Sequence, residues 1–304
     1  MIESKFIWMD EKFVPWKKAQ VHVLSHALHY GTGVFEGIRF YKTKKGSAIF
    51  RLQDHVHRLV ESWKIFGEEL ALSEKQLCKA IIETVKVNKL KEGYIRPLIF
   101  LGYDRMGLDP TGLPVHVMIA CFEFPAYLGE KAVRQGIHCN VSSFSRIHPN
   151  SMMTKAKCTG NYINSVLAKR ESKDEGYDEA ILLDHQGFVS ECTGENLFLV
   201  RKGKLITPQS ATVLEGITRE SILEIVRKEK IPTLEETVTR DELYSAEEVF
   251  VCGTAAEITP VIEIDHRSIG SGKPGKVTMH LQKTFFEIVH GENSKYKHWL
   301  TLIK

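Results

Sequence analysis

The sequence predicts a two-domain α+β (mixed α/β) protein. Three observations carry this. The length, 304 residues, exceeds one minimal core and suits two modest domains or one large one. Amphipathic helical stretches are interleaved with short runs of β-branched and aromatic residues. A polar segment, Pro125 to Gly136, reads PAYLGEKAVRQG and has the proline and glycines of a connection. The expected division is a small N-terminal domain over 1–124, a loop over 125–136, and a larger C-terminal domain over 137–304.

The elements follow in order. Asp54 to Phe66 places Val56, Leu59, Val60, Trp63 and Phe66 at helical spacing, with Gly67 as the stop. Ser73-Glu74-Lys75-Gln76 is a capping box that opens a second helix with Leu77, Ile81, Ile82 and Val85 inward. Tyr94 to Leu101 and His116 to Phe124 are strands. Beyond the connection, Ile137 to Phe144 is a strand and Asn161 to Ser172 a helix. Tyr177 to Leu183, Phe188 to Glu191 and Leu197 to Val200 are strands, joined by turns at 184–187 and 202–203. Thr218 to Lys228 is a helix, and Val249 to Cys252 a buried strand ending at Gly253-Thr254.

Composition narrows the function classes. Apolar residues make up 43% and charged residues 26%, as in a soluble globular protein. The net charge is +3, from 41 basic and 38 acidic residues without long runs, which argues against nucleic acid or membrane as partner. Met1 to Val14 is broken by charges and reads as neither a signal peptide nor a membrane span. Six cysteines, none in a CxxC pair, lie mostly among apolar residues. They read as free thiols in a reducing compartment, which points to the cytoplasm.

Four segments carry candidate chemistry. In AKCTGNY, Lys157 lies where a loop runs into a helix. It is either a solvated charge or a Schiff-base lysine, which needs a desolvated site to lose its proton; Lys155 is a decoy two residues away. In GFVSECTGENLFL, Glu191 lies inside a strand pattern, with Glu195-Asn196 close behind. It is either an exposed strand residue or a buried carboxylate, and a buried carboxylate needs a charged partner such as a protonated pyridine nitrogen. In LEGITR, a glycine precedes a threonine at a helix start, which is an ordinary cap or an anion site. In CGTAAE, a strand runs into small residues that form a compact turn or let backbone approach a ligand.

Two patterns are set aside. Gly270 to Val277 nearly matches a phosphate-binding loop, but Val277 lacks the hydroxyl that binds magnesium, so a surface loop is expected. The thirteen histidines show no HExxH spacing, and no metal site is expected.

Taken together and in order, these segments resemble the branched-chain amino acid aminotransferases, of the fold-type IV pyridoxal-phosphate class with its D-amino-acid-aminotransferase-like fold. The likeness runs from about Ile7 to Trp299. It rests on YGTGVFEGIR (Tyr30 to Arg39), FRL (Phe50 to Leu52), GYIRPL (Gly93 to Leu98), Ala156 to Tyr162, Glu191 to Leu197, Leu214 to Arg219 and Gly253 to Pro260.

The resemblance implies pyridoxal 5'-phosphate as cofactor, carried on Lys157, with Glu191 on the pyridine nitrogen and Tyr162 on the ring's phenolic oxygen. It implies a phosphate held by Arg51, by Ile217 and Thr218, and by Thr254, with Leu214, Gly216 and Gly253 beside them. The substrate pocket implied has Phe35, Tyr162, Tyr127 and Tyr30 as apolar walls. Tyr94 and the amides of Thr254, Ala255 and Ala256 receive the α-carboxylate, and Arg96 the far carboxylate of glutamate. Gly37 and Arg39 belong to the branched-chain pattern. Tyr30 and the Met106-Gly107-Leu108 loop are implied to come from a neighbouring subunit, so a homodimer or trimer of dimers is expected. The activity implied is transamination of leucine, isoleucine and valine with 2-oxoglutarate. D-amino-acid and R-amine transaminases and aminodeoxychorismate lyases share the fold type and are the alternatives. Cys158-Thr159 and Glu215 depart from the usual family residues and bear on fine specificity.

Overall fold

The computed structural model describes residues 3–125, 127–209 and 211–303. The chain divides into two compact units. Met1–Pro125, Ala156–Asn161 and Ile288–Lys304 form the first, and Ala126–Lys155 with Tyr162–Glu287 the second. The division is therefore not a single cut near 125–136. Residues 156–161 join the first unit through backbone bonds: Phe35 N–H donates to the Lys157 carbonyl (3.1 Å) and Thr159 N–H to that of Gly33 (2.8 Å).

The first unit contains β1 (Phe6–Met9), β2 (Lys12–Pro15), β3 (Gly33–Phe35), β4 (Ile38–Thr43), β5 (Gly46–Phe50), β6 (Gly93–Leu101) and β7 (Val115–Phe122). With the C-terminal strand Leu300–Leu302 they make, among the described residues, an eight-stranded sheet. Its strand pairings are antiparallel. The helices are α1 (His26–Tyr30), α2 (Leu52–Phe66) and α3 (Glu74–Asn88). α2 ends at Gly67, whose φ of 95° only glycine adopts without strain. α3 opens with the expected capping box at Ser73 and Gln76. Leu59, Trp63, Leu77 and Ile81 are buried against the sheet. Truncating any one of them to alanine is expected to cost about 2–5 kcal/mol.

The second unit contains β8 (Ile137–Val141), β9 (Glu179–Leu183), β10 (Val189–Cys192), β11 (Asn196–Arg201), β12 (Lys204–Pro208), β13 (Thr233–Glu236), β14 (Glu248–Gly253), β15 (Glu257–Ile264) and β16 (Arg267–Ser268). They form a mixed sheet in the order β10-β9-β8-β15-β14-β11-β12-β13, with β16 on β15. Its helices are α4 (Glu130–Gln135), α5 (Tyr162–Asp174), α6 (Ile217–Glu229) and α7 (Arg240–Tyr244). Parallel neighbours need a crossover: α5 links the parallel pair β8 and β9, and α6 links β12 and β13.

The segment 125–136 is more than a connection, because it holds α4. Leu128 and Ala132 pack on the core of the second unit, and Gly136, with φ 90°, closes the helix. The Gly270–Val277 loop leads into α8 (Lys276–Val289), and the first amides of that helix donate to the Glu248 carboxylate (3.0 and 2.8 Å). A side chain of the protein occupies the place a phosphate would need. No helix among the described residues is long and apolar enough to cross a membrane. All six cysteines are free, and only Cys78 is less than fully buried.

Candidate active site

In the first unit the expected residues gather around Phe35. Tyr94 and Arg96 lie two apart on β6 and so share a face. Arg39 on β4 stands directly opposite Tyr94. The Arg96 guanidinium lies 4.7 Å from the centre of the Phe35 ring and 5.5 Å from that of Tyr94. Its Nε is buried without a hydrogen-bond partner among the described residues. Lys157 Nζ lies 5.0 Å from the same Phe35 ring. Its backbone is fixed on both sides: its N–H donates to Ser62 Oγ (3.0 Å) and its carbonyl accepts from Phe35. Gly37 is required by space, since a Cβ there would meet the Tyr94 hydroxyl at 1.7 Å. Arg39 is turned toward the Phe124 and Pro125 carbonyls (3.4 Å each). Tyr30 ends α1, 39% exposed and tilted against His26.

Arg51 stands apart from this group. It precedes α2 in the left-handed region (φ 48°), donates from Nε to Asp54 (2.6 Å) and stacks on Trp299 at 5.3 Å. The arginine nearer to Lys157 along α2 is Arg58, one turn before Ser62. Its Nε and Nη2 donate to the two oxygens of Glu36 (2.6 and 3.0 Å), and His55 Nδ1 bonds the same carboxylate (2.7 Å). Glu36 is fully buried. Burial pushes its carboxyl up, but the charges and bonds of Arg58 and His55 outweigh this and hold it well below the usual range. Burial holds His55 below its ordinary value, with the opposing pull of Glu36 not enough to restore it.

In the second unit the focus is Glu191. The β9–β10 pairing shifts register between Val189 and Glu191, which re-aims the strand there. Glu191 is buried and ion-paired with Arg146, whose Nε lies 2.9 Å from it. It also accepts from the Asn196 amide and from the Leu214 N–H, each at 3.1 Å. Asn196 also donates to the Leu214 carbonyl (3.0 Å). Gly216 caps α6, makes no side-chain cap, and cannot carry a Cβ, which would meet Asn196 Oδ1 at 1.8 Å. Ile217 and Thr218 form the buried first turn of α6. One chain of bonds thus ties Glu191 to the segment that opens α6, whose N-cap Gly216 offers no side-chain cap.

The neighbouring Glu195 has a different character. It is buried and forms no ion pair among the described residues, and burial together with the Glu179 charge pushes its carboxyl up to about 8. Glu179 instead takes Lys169 and the Thr193 hydroxyl. Of the two carboxylates grouped by the sequence, Glu191 is the one that faces a cation. Gly253, Thr254, Ala255 and Ala256 form the turn between β14 and β15, closed by Glu257 in the left-handed region (φ 55°). Tyr162 opens α5. Tyr127 is 46% exposed, with Lys169 Nζ 5.7 Å from its ring centre. Lys155 is spent on the Val213 carbonyl (2.8 Å) and Glu215 (3.7 Å).

Sequence reading missed Arg146, Asn196, Glu36, His55, Arg58 and Ser62. A signal existed on α2, where His55 and Ser62 interrupt the apolar face formed by Leu52, Val56, Leu59 and Trp63. Arg146 lies in a loop, where no periodicity marks it.

Comparison with known proteins identifies the family. Residues 33–264 match the amino-transferase class IV family. A branched-chain-amino-acid aminotransferase of Pseudomonas aeruginosa is 47% identical over 298 residues, 98% of this chain and 97% of the relative. That of Escherichia coli K12 is 44% identical over 300 residues, 98% and 97% of the two chains. The crystal structure of an E. coli branched-chain amino acid aminotransferase superposes with a TM-score of 0.97 at 44% identity, covering 99% of this chain and all of that one (100%). A T.th. branched-chain amino acid aminotransferase complexed with N-(5'-phosphopyridoxyl)-L-glutamate gives 0.96 at 45% identity, covering 100% of both chains. The chain belongs to the class IV amino-transferases, among the branched-chain-amino-acid aminotransferases that work with pyridoxal phosphate.

Proposed function

We propose the following roles for the residues described, in the exchange of an amino group between branched-chain L-amino acids and 2-oxoglutarate. The residues fit pyridoxal phosphate. Glu191, a buried carboxylate fixed by one ion pair and two hydrogen bonds, is the complement of a protonated ring nitrogen. The α6 N-terminus, left uncapped by Gly216, suits the phosphate at Ile217 and Thr218, with Thr254 a further donor. Tyr162 takes the ring's phenolic oxygen. When bound, the cofactor withdraws electrons from the substrate Cα and makes its proton removable.

Lys157 carries the cofactor and, once freed and neutral, moves the Cα proton at its Nζ. For the phosphate's arginine we propose Arg58 rather than Arg51. Arg58 lies one turn from Ser62, the serine that holds the Lys157 backbone, whereas Arg51 lies at the start of α2.

The observation that carries the substrate reading is Arg96, which lies on Phe35 and Tyr94 with a buried Nε that lacks a partner among the described residues. Aromatic walls accept an aliphatic side chain, and one latent cation accepts the second carboxylate of glutamate. Relatives from T.th. have been solved with 4-methylvaleric acid and with a glutamate adduct, which supports the same pair of ligands here. Tyr94, Thr254, Ala255 and Ala256 take the α-carboxylate, with Gly37 giving the Tyr94 hydroxyl room and Arg39 bracing the opposite strand. Tyr127 and Tyr30 complete the walls.

A second copy of the chain is proposed to cover Tyr30, Met106 and Leu108, which are 39%, 47% and 79% exposed. A homodimer or a trimer of dimers satisfies this. The free cysteines support residence in the cytoplasm. A panel of L-amino donors with 2-oxoglutarate tests the reading: leucine, isoleucine and valine should lead, and a preference for D-amino acids or amines would overturn it.

A further inference from the structure

Three polar groups lie on or against one face of α2, where the helix pattern calls for apolar ones. Glu36, fully buried, is gripped from two sides: Arg58 donates to both of its oxygens (2.6 and 3.0 Å) and His55 Nδ1 to one (2.7 Å). Gly37 N–H also reaches this carboxylate, at 3.2 Å. A guanidinium held through Nε and Nη2 by one carboxylate keeps one plane and one direction. His55 has the opposite problem. Its Nδ1 hydrogen serves Glu36, while its Nε2 is buried and finds no hydrogen-bond partner among the described residues. A buried nitrogen without a partner costs free energy. Burial keeps the imidazole neutral against the pull of Glu36, and the positive charges of Arg58 and Lys157 act in the same direction. A neutral His55 donates a hydrogen bond without cancelling the Glu36 charge, so that charge stays with Arg58.

We propose that Glu36 and His55 are positioning residues that hold the Arg58 guanidinium in place for the cofactor's phosphate. The proposal rests on the reading of Arg58 as a phosphate ligand. Glu36 sets the plane of the guanidinium, and His55 stops Glu36 from rotating away. Both act through Arg58, so their effect is expected on anion binding rather than on proton transfer.

The test is the affinity of the full-length apoprotein for two probes, pyridoxamine 5'-phosphate and pyridoxamine, which differ only in the phosphate. His55→Leu removes the donor to Glu36, while His55→Asn keeps an N–H near the Nδ1 position. His55→Leu should weaken pyridoxamine 5'-phosphate by about tenfold or more, the worth of one bond to a charged group. Its affinity for pyridoxamine should be unchanged, and His55→Asn should restore most of the loss. Glu36→Gln, nearly isosteric, should show the same phosphate-specific loss and carries the test if His55→Leu does not fold. Equal losses for both probes, or no loss in either variant, would overturn the proposal. Arg58→Ala separates the two levels. If it too leaves the ratio of the two affinities unchanged, the phosphate reading itself fails. If it alone changes that ratio, only the positioning role fails.

Discussion

Arg146 Nε stands 2.9 Å from Glu191 Oε1, and both side chains are buried. An arginine stays charged at every working pH, so Glu191 has a permanent cation beside it. Asn196 and the Leu214 amide occupy its other oxygen. The pair explains why Glu191, and not Glu195, is suited to stay anionic and to face a protonated ring nitrogen.

Glu191→Gln keeps the size of the side chain and removes its charge. Deprotonation of the substrate Cα should slow about a hundredfold or more, each 1.4 kcal/mol being tenfold in rate. Single-turnover kinetics with L-leucine measure this, and a near-normal rate would remove Glu191 from its assigned role. Arg146→Leu, which leaves a buried charge unpaired, should also destabilise the fold by about 3–5 kcal/mol.

Lys157→Ala should abolish transamination and leave the fold intact. Lys155→Ala should stay active, because Lys155 is tied to the Val213 carbonyl and to Glu215. Steady-state assays with thermal unfolding of both variants decide between the two lysines. Turnover in Lys157→Ala, or an equally dead Lys155→Ala, would move the catalytic role.

Arg96→Leu should split the two half-reactions. Glutamate loses the partner of its second carboxylate, at about 2–5 kcal/mol for one side of a buried charge pair. Leucine has no such carboxylate and should lose much less. Stopped-flow amination of the cofactor with each amino acid alone is the measurement. Equal losses would mean that Arg96 serves the α-carboxylate common to both.

Glu195 makes stability depend on pH with a defined sign. Its carboxyl is raised from 4.5 to about 8 by burial and Glu179. Between those values the folded protein keeps a proton that the unfolded chain releases, so stability from this group falls as pH rises through the window. Glu195→Gln should flatten that fall, by up to a few kcal/mol between about pH 5 and about pH 9. Urea unfolding midpoints across this range check it, and parallel pH profiles of variant and parent would contradict it.

The sequence made some of this legible and hid the rest for physical reasons. α2, α3 and α6 were readable because their apolar residues repeat at helical spacing and Gly67 and Ser73 mark ends. β6 and β7 were readable from β-branched and aromatic runs. α4 was hidden by its length of six residues and its polar composition. β15, with its Glu257 at positive φ and Pro260 inside the strand, broke the usual strand signals. In the site, residues with local motifs around them, such as Lys157 and Glu191, were found. Arg146 and Glu36 were not, because what defines them is a partner far along the chain: Glu191 for one, His55 and Arg58 for the other.

The central claim is that Lys157 moves the Cα proton of branched-chain L-amino acids and of glutamate in one pocket. A single-turnover experiment tests it most directly: the pyridoxal-phosphate-loaded protein is mixed with L-leucine, L-glutamate or D-leucine, with no acceptor present, and the cofactor's absorption is followed. Full conversion to the aminated cofactor is expected with L-leucine and with L-glutamate, none with D-leucine, and none with any donor in Lys157→Ala. Conversion by D-leucine in preference to L-leucine, or by L-glutamate but not L-leucine, would contradict it.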